Sequence, residues 1–454
     1  MLAAFTAAMD ATVVGTALPT IAGELGGLSL YPWIFAGYLL TSTTSVPIWG
    51  RLADIQGRKN VLFAGLAFFV GGSVLCGASP NMPALILFRA LQGVGAGCIQ
   101  PVTMTVIGDV FPVAQRARLQ GLFSSVWAIA ATVGPLIGGV FVTTIGWRWS
   151  FFVNVPIGAA CVLLLWRYRD RPERRSVQID FAGVIALTAG VALLLYGLGT
   201  GNPSGQPVWP VALLGVVALA AFWLFESRSA LPTVPLRFLR HPLVGPALLQ
   251  TLLAGTVMWG VNSWVPLFAQ GATGAAPIAA GWSIATMSVG WPVASTISGR
   301  LLIRYGHRLP VLGGSACLLL GTLMLALTGG GGVLWIAVAC FVIGLGMGST
   351  STPLLIVIQD AVAWGERGAL TALNQFMRTI GGAVGVSLMG LLVTARLPGG
   401  SGTQLTISLQ HGHTGTSPLL ASAIEPVFWT LVALAAATSV VATVVLLERR
   451  SGRR

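Results

Sequence analysis

The sequence predicts an all-α integral membrane protein of fourteen spanning helices, built as two six-helix halves with two helices inserted between them. Three observations predict it: the composition, the placement of the basic residues and an internal repeat. Of 454 residues, 55% are hydrophobic and only 8% are charged, with a mean hydropathy of +0.84. A soluble domain carries roughly 25% charged residues, so the bulk of this chain must be solvated by lipid. The 59 glycines suit helices that pack closely in that solvent.

A span needs about 20 mostly apolar residues, and the runs fall in order. The first, 2–22, lacks a basic leader and holds Asp10 and Pro19, so it reads as a helix and not as a signal peptide. Its N-terminal flank is short enough that the start reads as trimmed. Then come 31–52, 60–79, 82–108, 117–143 and 151–168, which complete a first half over residues 1–170. Runs 181–200 and 208–226 form the insert, within 171–240. Runs 243–269, 279–302, 310–328, 332–358, 368–394 and 426–447 form the second half, 241–454. Interior Gly and Pro are tolerated because neighbouring helices re-satisfy the backbone.

With the N-terminus placed inside, 21 of the 25 basic residues fall in even-numbered connections or the C-terminal tail. Only Arg148 and Arg396 fall in outer loops, and Arg89 and Arg378 fall within helices. That asymmetry predicts both termini on the cytoplasmic side of a multi-pass protein of the cell membrane. It also supports the even helix count, because one missed span would invert every later loop.

GRLADIQGRK (50–59) recurs as GRLLIRYGHR (299–308), an offset of 249. LQGVGAG (91–97) aligns with GLGMGST (344–350), pairing Gly93 and Gly95 with Gly346 and Gly348 at 253, and Asp109 pairs with Asp360 at 251. Parallel halves of this kind are a transporter architecture, with the substrate site at the midplane.

Other classes are excluded by what the residues do not form. The net charge of +13 is spread between apolar runs and makes no basic domain, so no nucleic-acid partner is expected. The five cysteines lie in apolar runs at spacings that fit neither a disulfide framework nor a metal site, and read as free thiols. The four histidines give no enzyme constellation; His411 and His413 lie in a long outer loop. No phosphate-cradling loop with Lys is present, so no ATP drive and no cofactor is expected.

Four motifs carry a resemblance. MDATVVGTALPTI (9–21) resembles a first-helix signature at Asp10, Thr12, Ala17, Leu18 and Pro19, with Gly15 in place of the usual Asn. GRLADIQGRK resembles the loop 2–3 motif in full. RALQGVGAG (89–97) fits R-x2-Q-G-x-G, and GLFSSVWAIAATVGPLIGG (121–139) fits the fifth-helix antiporter motif with Ala130 where Gly is usual. WRWSFFVNVPIG (147–158) also looks similar. Together, over essentially the whole chain, they resemble the major facilitator superfamily, and within it the fourteen-helix drug:proton antiporters of the EmrB/QacA type.

The residues and the resemblance give a set of expected roles. Asp10 lies about 13 Å into its helix at 1.5 Å per residue, where an isolated ionised carboxylate is costly and is expected to be held neutral or to find a cation. Arg89, roughly 10 Å from the outer end of the fourth helix, is the natural partner; a purely structural ion pair is the competing reading. Proton coupling and cavity roles are assigned to Asp10, Arg89, Gln92, Asn262, Asn374, Gln375 and Arg378. The cytoplasmic loop residues Gly50, Arg51, Asp54, Gly57, Arg58 and Lys59 form the gating motif that the resemblance implies latches the two halves. Asp54, placed in that loop, is favoured by a nearby helix N-terminus. Gly121, Gly134, Pro135, Gly138 and Gly139 form the antiporter motif, whose small faces let helices of opposite halves approach and slide. Trp33, Tyr38, Trp127, Trp259, Trp264, Trp282 and Trp291 either line an apolar cavity or pack in the core and at lipid.

The function expected is proton-coupled secondary export of hydrophobic, often cationic small molecules by alternating access, which is multidrug efflux. The alternative is export of a lipid, siderophore or other metabolite on the same fold. The expected partners are the substrate, protons and the lipid bilayer, with the protein acting as a monomer and the proton gradient replacing any cofactor. One acid at membrane depth suits monovalent cations, neutral amphiphiles or zwitterions better than dications.

Overall fold

The computed structural model describes residues 1–27, 30–110, 113–167, 181–198, 208–228, 236–327, 332–362, 367–396 and 418–451. Fifteen α-helices lie among them: α1 (Leu2–Leu25), α2 (Tyr31–Gln56), α3 (Arg58–Gly77), α4 (Met82–Val110), α5 (Val113–Thr144), α6 (Trp149–Phe152), α7 (Asn154–Trp166), α8 (Phe181–Gly197), α9 (Trp209–Arg228), α10 (Val244–Gly271), α11 (Pro277–Tyr305), α12 (Arg308–Ala326), α13 (Gly332–Asp360), α14 (Arg367–Arg396) and α15 (Pro418–Ser451). Within the described residues each expected span falls on one of these helices, except the sixth, 151–168, which falls on α6 and α7. Ten stretches among the described residues are long and apolar enough to cross a membrane, α6 and α7 counting together as one.

The helices divide into two compact units, α1–α9 and α10–α15. In the first, α1 packs on α5, α4 on both α2 and α3, and α7 on α1 and α3. In the second, α10 packs on α14, α13 on both α11 and α12, and α15 on α10 and α12. The internal layout is therefore the same, helix for helix, which is the structural form of the sequence repeat. The inserted α8 and α9 pair with one another, and α8 also touches α2.

The repeated GRL motif ends on a glycine with positive φ in each copy, Gly57 at 90° and Gly306 at 77°. Residues with a Cβ rarely adopt that backbone, and it turns one helix into the next within a residue or two. In consequence α2 runs through Gln56 and α3 starts at Arg58. Asp54, expected in a loop, is on the last turns of α2.

The second repeat needs a correction of register. A side chain on Gly93 or Gly97 would meet the carbonyl of Tyr38 or Ser42 on α2, and one on Gly95 would meet Gly65 and Phe69 on α3. The residues in the same positions of α13 are Gly344 and Gly348, against the carbonyls of Met287 and Trp291 on α11, and Gly346, against Gly314 and Leu318 on α12. The offset is thus 251 and not 253, the same as that of Asp109 and Asp360. Two residues amount to more than half a helical turn, so the earlier alignment put the wrong glycine face inward.

The sixth span is broken. Helix α6 is a single turn, and α7 starts afresh at Asn154. Trp147 anchors the approach to it: its indole donates to Glu24 Oε2 at 2.7 Å, and Arg148 pairs with the same carboxylate.

Candidate functional site

The site of the first unit forms around Asp10 of α1. Its side chain is 0% exposed. Arg89 on α4 is equally buried, and its Nη1 lies 2.6 Å from Asp10 Oδ2. One helical turn on, Gln92 donates its amide to Asp10 Oδ1 at 2.8 Å and accepts from Arg89 Nη1 at 2.8 Å. Asn154, at the start of α7, donates to Asp10 Oδ1 at 2.8 Å and to Ser73 Oγ of α3 at 2.9 Å. Ser73 in turn donates to the carbonyl of Phe151 at 2.8 Å. Three helices, α1, α4 and α7, therefore meet at one carboxylate, and α3 joins them through Asn154.

The guanidinium of Arg89 stacks on Tyr38, 4.2 Å from the ring centroid, with Phe151 at 5.7 Å. Aromatic faces stabilise a desolvated cation. Arg89 Nε and Nη2 and Asn154 Oδ1 have no hydrogen-bond partner among the described residues. The network is thus partly satisfied, and each unmet group in so dry a place has an energetic cost. Chemically, one anion and one cation share a closed apolar pocket. A proton added to Asp10 cancels the pair and leaves Arg89 with a neutral neighbour.

The close approach of α5 holds α1 in place. A Cβ on Gly134 would meet Thr12 Oγ1, and one on Gly138 would meet Thr16 Oγ1 and the Val13 carbonyl. Thr12 Oγ1 also reaches the Ala130 carbonyl at 3.2 Å. These glycines, expected to face the opposite half, are filled by α1 of their own unit. Pro135 and Gly139 are buried beside them. The surroundings of Gly121 and Trp127 lie outside the described residues.

At the α2–α3 junction, Gly50 is open on its side-chain side. Arg58 is half-buried. Lys59 Nζ donates to the Trp166 carbonyl at 2.8 Å, a cation at the C-terminus of α7, where the helix dipole favours it. The side chains of Arg51 and Asp54 lie outside the described residues.

In the second unit, Asn262 donates back to the Met258 carbonyl on its own helix at 2.9 Å. Asn374 donates to Thr251 Oγ1 at 2.8 Å, and Arg378 bonds Gln375 one turn away. Trp291 lies 5.9 Å from the Arg378 guanidinium, Trp264 is buried, and Trp282 is largely exposed. Of the five free cysteines, Cys76, Cys98, Cys161 and Cys340 are buried and Cys317 is half-buried. Sequence reading picks Asp10, Arg89 and Gln92 but misses Asn154 and Ser73. The one signal for Asn154 was a polar residue in an apolar run, just before the proline of VNVPIG.

The model of the Major Facilitator Superfamily matches residues 1–386. The chain is 35% identical over 415 residues to the multidrug transporter protein MdtP of Bacillus subtilis (strain 168), covering 90% of this chain and 76% of that one. It is 30% identical over 402 residues to multidrug resistance protein 3 of the same organism, covering 87% and 78%. Among solved structures, the POT family transporter PepTSo superposes with a TM-score of 0.65 at 13% identity, over 99% of this chain and 98% of that one. At such identity this likeness concerns the fold alone.

Proposed function

The chain belongs to the Major Facilitator Superfamily, and from that membership we propose that it is a proton-coupled exporter of hydrophobic, often cationic small molecules. It is a multi-pass membrane transporter and not an enzyme. The observation that carries the finer reading is the buried Asp10–Arg89 pair with Gln92 and Asn154 on the same carboxylate. A carboxylate in that setting binds either a proton or a cation, and binding one weakens the hold on the other. Loaded with a proton, Asp10 releases Arg89 and loosens the meeting of α1, α4 and α7. Unloaded, it draws that meeting tight and presents a negative charge to a cationic substrate.

Within this reading, fourteen helices cross the cell membrane with both termini cytoplasmic, and the monomer alternates access between its halves. Gly50, Arg51, Asp54, Gly57, Arg58 and Lys59 gate the cytoplasmic side. The glycines of α5 set the fit of α1. The names of the relatives, a multidrug transporter and a multidrug resistance protein, support the substrate class.

The test is transport in proteoliposomes. An outward-directed flux of a lipophilic cation dye should follow an imposed pH gradient and stop when nigericin collapses it. Flux indifferent to the gradient contradicts proton coupling, and no flux of any such dye contradicts the substrate class.

A further inference from the structure

We propose that a cleft lined by α10, α13 and α14 is a subsite for a carboxylate, so that the substrates of this exporter include acidic or zwitterionic amphiphiles; the inference rests on the exporter reading above. Gln250 of α10 lines the cleft together with Met347, Leu354, Asn374 and Arg378. Its side chain is 1% exposed, and neither its amide nitrogen nor its amide oxygen has a hydrogen-bond partner among the described residues. Burying an amide with nothing to bond is costly, and such groups are normally paired. An amide left this way at the wall of a cleft is matched to a ligand.

Comparison with the first unit says what kind. Thr12, which donates to the Ala130 carbonyl and faces Gly134, corresponds to Thr256, which donates to the Gly381 carbonyl and faces Gly385. In that register α1 maps on α10 at an offset of 244, so Ala254, which also lines the cleft, stands where Asp10 stands, and Gln250 lies one turn before it. On α13, at the offset of 251, Cys340 and Ile343 replace Arg89 and Gln92. The second unit supplies its arginine from α14 instead. Arg378 lines the cleft, bonds Gln375 and stands over Trp291. Neither Asp360 nor Glu425, the acids of this unit whose side chains are described, lines the cleft. In the first unit the arginine has a carboxylate of the protein; in the second the position of that carboxylate is an alanine, and the cleft holds an arginine from another helix and an unpartnered amide. A ligand carboxylate completes it, with one oxygen on the Arg378 fork and the other on the Gln250 Nε2–H. Met347 and Leu354 offer the apolar wall for the rest of an amphiphile.

The test uses two dyes that differ only there. Rhodamine 110 is a zwitterion with a free carboxylate, and rhodamine 123 is its cationic methyl ester. Fluorescence anisotropy is read on the full chain in phosphatidylcholine nanodiscs, whose lipid carries no carboxylate. Wild type should bind rhodamine 110 roughly tenfold more tightly or better, as a charge-assisted hydrogen bond implies. Arg378→Gln should bring the ratio of the two affinities close to one. Gln250→Asp, which supplies an internal carboxylate and keeps the volume small, should do the same, while Arg378→Lys should retain part of the preference. A wild-type ratio of one or below, or a ratio unmoved by Arg378→Gln and Gln250→Asp, overturns the proposal. Binding of rhodamine 123 at a ratio of one removes this subsite and leaves the exporter reading intact; binding of neither dye removes both.

Discussion

Arg89 Nη1 and Asp10 Oδ2 stand 2.6 Å apart with no exposed surface on either side chain. Two ions taken out of water repay their desolvation chiefly through each other, so the loss of one strands the other. Removing one member of such a buried pair costs about 3–5 kcal/mol, whereas replacing both with neutral groups is often close to neutral. Thermal unfolding in detergent should show Asp10→Asn and Arg89→Gln each strongly destabilised, and the double variant recovering most of the loss. Additive losses in the double variant would mean that the two charges do not depend on one another.

Asn154 holds the carboxylate and Ser73 with one amide. Asn154→Leu removes a charge-assisted donor and is expected to cost about 1.5–3 kcal/mol. Ser73→Ala, which leaves the contact of Asn154 with Asp10 in place, should cost about 1 kcal/mol. The ranking is read from the same melting curves. Equal losses would place the value of Asn154 in packing at the α6–α7 break and not in its bond to Asp10.

The two α5 glycines should respond differently to rescue. Gly134→Ala collides chiefly with the Thr12 hydroxyl, so adding Thr12→Ala should restore stability and folding yield. Gly138→Ala collides with the Thr16 hydroxyl and also with the Val13 carbonyl, a backbone atom that no substitution removes. Adding Thr16→Ala should therefore leave most of its loss, about 1–3 kcal/mol for overpacking. Size-exclusion profiles and melting curves of the four variants give the answer.

At the α2–α3 junction, Gly57 has a φ of 90°. Gly57→Ala forces a side chain into left-handed backbone at about 1–3 kcal/mol. Lys59→Met loses a surface contact with the Trp166 carbonyl and should cost no more than about 1 kcal/mol. A harmless Gly57→Ala would mean that the junction readily adopts another turn.

Much of this was legible in the residues because membrane helices leave few polar groups to choose among. Asp10, Arg89 and Gln92 stand out in apolar runs, and the structure brings all three to one point. Asn154 was harder to see: Pro156 marks a helix start in the sequence, but only the folded unit shows that this start brings Asn154 to Asp10. The repeat was recognisable, but its glycine register was off by two residues, because G-x-G-x-G matches itself when slid by two and only the α2 and α3 contacts decide. The partner of the α5 glycines could not be read at all: small residues announce a close approach without naming the helix that makes it. Gln250 went unremarked for the opposite reason, since a lone amide in a helix usually finds a partner, and its lack of one is visible only in the folded unit.

Whether Asp10 carries the coupled proton is read by separating exchange from gradient-driven transport in one variant. Proteoliposomes with wild type or Asp10→Asn are loaded with unlabelled dye, and the uptake of labelled dye is followed first without and then with a pH gradient. Exchange needs only that the loaded protein reorient, whereas accumulation needs the proton. Asp10→Asn should keep exchange within about an order of magnitude of wild type, the scale of one lost hydrogen-bonding contribution, and lose all accumulation driven by the gradient. Gradient-driven accumulation that survives in Asp10→Asn would contradict that role of Asp10 and leave the buried pair as structure alone.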